Sequence, residues 1–272
     1  MSVSATRTTP PASPDSPVSA LLRRLAAERA TGALIRDRGT LYLADGRVVH
    51  AEAPDAPTLD VLLTTGGPLA TEGWWAAVAE AGADSSVARR LVDSGRVPGG
   101  TLELCRLGAL YDAAFFALGP SSHPARFRYG VSHWLGDLHP VEARALERET
   151  VRRRELLDRI WPEGDVDTAP LRRLGPPPDG DSSPVSARQR PVLDLVDGSR
   201  GAPEIARLLG RPAFHTLVDL RRLAAAGVVA AVRAPAHPGR LASSVRELLP
   251  DVTPDPDVAL LRRLRDALEA TL

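Results

Sequence analysis

The sequence predicts an α+β protein: an N-terminal helix plus a small antiparallel sheet with a helical extension, followed by a winged helix-turn-helix domain. Three observations predict it. Three short apolar runs between Thr31 and Pro54 are separated by turn residues, among them the Asp45-Gly46 pair that favours a two-residue hairpin. From residue 57 to about 119 the apolar spacing turns helical. Beyond residue 187 the order is helix, short helix, turn, longer helix, strand, which is the order of a winged helix-turn-helix.

Residues 1–16 are mostly Ser, Thr and Pro, with little to bury, and are expected to be a disordered tail. A first helix follows Ser16, with Pro17 suited to position N1 and Leu21, Leu22 and Leu25 on one face. Gly32 is its expected stop. Residues 33–35, 41–43 and 48–51 read as strands joined by turns at Arg38-Gly39 and Asp45-Gly46. The second turn is of the type that needs positive φ at both central positions.

A weak repeat follows. Leu63…Gly67-Pro68-Leu69…Trp74 recurs as Leu91…Gly95-Arg96-Val97…Leu102, each copy a helix end, a glycine turn, one apolar anchor and the next helix. Residues 101–118 are expected to form a long apolar helix, 126–129 a returning strand and 140–161 a charged helix. These elements make a first domain over 17–161. The Pro-, Gly- and Ser-rich stretch 162–187 reads as a linker.

The second domain spans 188–240. Its helices are expected at 191–196, 203–209 and 212–226, closed by Asp197-Gly198, Gly210 and Gly227, with a strand at 228–232. Residues 241–272 form C-terminal helices, the last carrying Val258, Leu261, Leu264 and Leu268 on one stripe that suits a homodimer contact.

The formal net charge is zero, so no global field attracts nucleic acid or an anionic membrane. All 34 basic residues are arginine and the chain has no asparagine. Without lysine there is no phosphate-binding lysine of the Walker type and no Schiff base. With Cys105 alone there is no intrachain disulfide and no CxxC zinc site. No secretion signal is read at the N-terminus and no apolar run reaches about 18 residues, so a cytoplasmic protein without a membrane partner is expected.

Residues 17–160 resemble the PATAN domain of bacterial signalling proteins. The resemblance rests on the leading helix, on Thr31-Gly32-Ala33-Leu34 and on the run from Leu41 through Tyr42, Leu43, Asp45-Gly46, Val48-Val49 and His50 to Ala51. The C-terminal module is similar to winged helices that accompany such domains, through the runs beginning at Val192, Glu204 and Leu220. The resemblance implies a non-enzymatic bacterial regulatory adaptor acting through protein contacts, without catalytic residues to carry over. No phospho-acceptor receiver domain is present.

Two readings of function stay open. In the first the protein is a transcriptional regulator that receives a signal or protein in its N-terminal domain and binds DNA through the winged helix, with Arg200, Arg211, His215, Thr216, Arg221, Arg222 and Arg233 as the contacting residues. Arginine suits phosphate contacts and bidentate guanine recognition, and residues 188–240 hold nine arginines against four acids. In the second it is a signalling adaptor whose two domains bind proteins, such as a small GTPase or a roadblock-type partner, and not DNA. The expected recognition helix is rich in Leu and Ala with Asp219 at its middle, which suits docking. Adjacent Trp74 and Trp75 cannot both face one core, so either they mark a protein-contact patch on the N-terminal domain or they form a partly buried pair under a loop.

No Ser-His-Asp order, HExxH or GxSxG motif supports an enzyme. His123, His133 and His139, with Asp137 nearby, match no closed zinc spacing and read as surface-loop histidines. His50 ends a strand and is expected to pack at the sheet edge. Neither a metal nor a cofactor is expected. Cys105 lies on an apolar helix and reads as inert.

Overall fold

Helix α1 (Pro17–Ala27) buries Val18, Leu22 and Leu25, the face its apolar spacing marks out. It stops five residues before Gly32, the expected end, because Arg29 takes a left-handed conformation (φ 52°) and the Ala30 N–H turns back to the Leu25 carbonyl. Gly32 instead opens β1 (Gly32–Arg36), which is followed by β2 (Gly39–Ala44) and β3 (Arg47–Glu52). Asp45 and Gly46 both have positive φ, 49° and 76°, as the hairpin between β2 and β3 requires.

A computed structural model describes residues 17–81, 86–135, 139–175 and 185–232. The chain divides into two compact units after Val232, and all described residues belong to the first. The expected stripe Val258, Leu261, Leu264 and Leu268, together with Arg233, Asp137 and the 1–16 tail, lies outside the described residues.

The helical extension comprises α2 (Leu59–Thr64), α3 (Thr71–Ala81), α4 (Val87–Asp93) and α5 (Gly99–Ala117). The repeat read in the sequence is a repeat of hydrogen bonds. The Leu69 N–H returns to the Leu63 carbonyl at 3.1 Å, and the Val97 N–H returns to the Leu91 carbonyl at 3.2 Å. Leu63, Leu69, Trp74, Leu91, Val97 and Leu102 all enter one satellite core. Strand β4 (Arg126–Tyr129) then returns to pair antiparallel with β1, giving the sheet order β3-β2-β1-β4.

The rest of the unit packs onto this frame through α6 (Ala143–Ile160), α7 (Asp165–Thr168), β5 (Leu171–Arg173), α8 (Arg190–Asp194), α9 (Ala202–Leu209), α10 (Ala213–Ala225) and β6 (Val229–Ala231). The architecture is α+β, as expected. One hydrophobic core runs from α1 and the sheet through α5 and α6 to α8, α9 and α10. Part of the stretch read as a linker therefore has a different character: α7 buries Val166, and β5 pairs antiparallel with β6. Leu171 and Val166 are apolar anchors that composition-based reading overlooks among prolines and glycines.

The helix read as the DNA-recognition element is mostly interior. Ten of the thirteen residues of α10 are buried. Its start is tied to the N-terminal half by Asp112 on α5, whose carboxylate accepts from the Phe214 N–H at 3.3 Å and from Arg153 Nη1 at 2.7 Å. The turn before α10 is held just as closely. Gly210, with φ 58°, lies against the loop after α2, where a Cβ would come within 2.3 Å of the Gly66 nitrogen.

Candidate functional site

His50 and Glu52 leave edge strand β3 two residues apart. Alternation along the strand alone would put Val48, His50 and Glu52 on one face. A β-bulge resets this: Leu43 faces Val48 while Tyr42 faces His50, so Val49 is the extra residue. Val48 and Ala51 are then buried in the main core, opposite Leu43 and Leu41, and His50 is set opposite Tyr42.

The third participant comes from the loop after β4. Leu135 is buried in the satellite core, and its carbonyl accepts from the Ser86 hydroxyl at 2.7 Å, Ser86 also being the N-cap of α4. This anchorage brings His133 over the sheet. Its Nε2 lies 2.9 Å from Glu52 Oε1, while its Nδ1 accepts the Leu135 N–H at 3.3 Å. The other oxygen of Glu52 accepts from the Tyr42 hydroxyl at 3.2 Å. The His50 and His133 rings stack with centroids 3.8 Å apart.

His50 is buried to 5% exposure and its Nδ1 has no hydrogen-bond partner. Burial pulls its pKa down to about 3, with the neighbouring His133 and Arg106 adding to the effect against Glu52. The ring is therefore neutral at physiological pH. The hydrogen bond from His133 holds the Glu52 carboxyl below its ordinary range, and burial raises the Tyr42 phenol. Arg106 is itself buried, chelated by Glu103 and aimed at the Val49 carbonyl at 3.4 Å.

A small cleft of about 70 Å³ lies over these groups. Besides the two histidines and Glu52 its lining includes Trp74, Trp134 and Asp60. Trp134 is 57% exposed and meets the buried Trp74 edge to face at 6.3 Å. The cleft is chemically mixed, its lining combining imidazole, carboxylate and indole groups.

The residues read as DNA contacts are spread differently. Thr216 and Arg221 are buried, which corrects their reading as surface contacts. Arg221 is bound by both oxygens of Asp167, by Asp158 and by the Trp161 carbonyl. Arg200 pairs with Asp197, and Arg211 donates to the Arg188 carbonyl at 3.2 Å. His215 and Arg222 are exposed on α10. Trp75 is 61% exposed and stays available for contact, whereas Trp74 is buried in the satellite core, which corrects its reading as a contact residue.

His123 and His139 are exposed, in keeping with surface loops, but His133 is a correction because it is buried beneath the cleft. The sequence missed the constellation because its members are far apart in the chain and belong to no closed metal spacing. The available signal was the His-x-Glu pair on a strand, which puts two ligand types side by side.

No protein-family model, no curated protein and no solved structure matches the chain.

Proposed function

We propose that the protein is a regulatory adaptor that takes its input at the histidine–tryptophan cleft and delivers its output through protein contacts. The burial of α10 carries this choice over DNA reading. A recognition helix needs a free polar face to enter a groove, and here the helix supplies core to the unit, with Arg221 spent on an internal ion pair. The large apolar side chains that do reach solvent include Trp75, Tyr129 and Trp134 of the N-terminal half. Aromatic residues of this kind dominate the binding energy of protein interfaces. The PATAN resemblance points the same way, and the absence of any catalytic motif in the sequence fits an adaptor.

Site-directed photocrosslinking in the producing cell tests the proposal. A photoreactive residue at Trp75 or Trp134 is expected to give discrete protein adducts, and one at Arg211 or Arg222 no nucleic-acid adduct. Nucleic-acid adducts at Arg211 and Arg222, with none to protein at the tryptophans, would restore the DNA reading.

A further inference from the structure

We infer that His50, Glu52 and His133 form a binding site for one divalent transition-metal ion of the zinc or ferrous class. The inference deepens the proposed function, since it rests on the cleft as the input site and names the chemistry of the input. One donor atom from each of the three residues lies within 4.8 Å of the other two. The set comprises two imidazoles and a carboxylate, which suits zinc, iron, cobalt or nickel and disfavours magnesium and calcium, whose ligands are oxygens. Three protein ligands leave coordination positions open, and the cleft gives them somewhere to face.

The buried Nδ1 of His50 supplies an independent pointer. A buried polar atom without a partner is costly, and a structure that retains one has a use for it or an unseen partner. His50 is 5% exposed and lines the cleft. The bulge at Val49 is what turns this ring from the regular alternation of the strand, and bulges recur beside functional sites.

The surroundings are those of a supported ligand set. Tyr42 holds the second oxygen of Glu52, and Ser86 and Leu135 fix the loop that carries His133. Hydrogen bonds of this kind orient first ligands and tune affinity. At present the proton on His133 Nε2 faces Glu52, because Nδ1 accepts from the Leu135 N–H. Metal binding at Nε2 moves that proton to Nδ1 and displaces the Leu135 N–H. The Leu135 amide resonance therefore reports loading.

The test uses the full chain, freed of metal with a chelator and titrated with Co²⁺ as a spectroscopic substitute for zinc. The expected result is one Co²⁺ per chain with visible ligand-field bands, competed by Zn²⁺, a shift of the Leu135 amide, and a change in tryptophan emission. His50→Gln, Glu52→Gln and His133→Gln should each weaken binding at least tenfold while circular dichroism stays native. His123→Gln and His139→Gln, at exposed positions, should leave it unchanged. Absence of the bands, or equal loss in the His123 and His139 variants, would overturn the metal site. Protein adducts at Trp75 and Trp134 despite no metal binding would leave the adaptor reading standing. Stoichiometric metal binding without adducts would do the reverse.

Discussion

Two buried polar clusters lie in the same unit, and their ionisable groups are partnered differently. At the seam between the halves, both oxygens of Asp112 are occupied by Arg153 and the Phe214 N–H, and both oxygens of Asp167 by Arg221. Beneath the cleft, His50 keeps a buried nitrogen with no partner, and Trp74 and Trp134 line the cleft beside it. A low-dielectric interior makes a satisfied network rigid and an unsatisfied group costly. The seam therefore contributes to holding the fold together, whereas the cleft carries a local cost that a ligand would relieve.

The largest effects are expected at the seam. Asp112→Ala leaves the Phe214 N–H without its acceptor and the Arg153 guanidinium with Glu149 as its remaining carboxylate, and the loss should be about 3 kcal/mol, the low end for breaking a buried pair. Urea unfolding should show that loss, and a change below about 1 kcal/mol would mean that the seam does not join the halves. Arg221→Ala leaves Asp167 buried without its partner and should cost about 3 kcal/mol in the same assay. Any effect of this variant on nucleic-acid retention should follow its unfolding rather than a lost phosphate contact.

The cleft should respond with the opposite sign. His50→Leu removes an imidazole whose Nδ1 is unsatisfied, and leaving such an atom buried costs about 1–3 kcal/mol. Thermal unfolding of the metal-free variant is expected at an equal or higher temperature than that of the parent protein. A loss as large as that of Asp112→Ala would show that the two clusters are alike, and the contrast would fail. Binding sites commonly trade stability for function in this sense.

The smallest effect belongs to the exposed Asp197. Hydrogen bonds from the Ser199 N–H and hydroxyl, then from the Arg200 N–H, bring its pKa down to about 2. A lowered carboxyl pKa gives a stabilisation that is present above the unfolded value near 4 and is lost as pH falls through about 2. An NMR titration of the Asp197 carboxyl should find its midpoint near 2, and the Ser199 amide should shift with it. In Ser199→Ala the midpoint should move upward.

The contrast between the clusters also explains what could be read in advance. The three-strand meander followed from local chemistry, since Asp45-Gly46 dictates its own turn and the apolar runs alternate around it. The helical repeat was legible because Leu69 and Val97 mark the same return bond after equivalent helix ends. The end of α1 was not, since Arg29 spends positive φ where a glycine was expected. Nor was the burial of α10, whose Asp219 and Arg221 look like surface residues until their partners Arg188 and Asp167 are known. The candidate metal ligands were legible only as a His-x-Glu pair, because His133 reaches them through Leu135 and Ser86, which carry no metal signature.

By itself the sequence determined the α+β class and the order of the strands and helices outside residues 162–187, because hydrophobic periodicity and turn chemistry act over a few residues. The tertiary structure alone decided that α10 is interior, that β5 and β6 pair across the helices between them, and that His133 stands over His50 and Glu52. These depend on which distant surfaces exclude water together and which buried charges find each other, and neither is encoded in the spacing of a single segment.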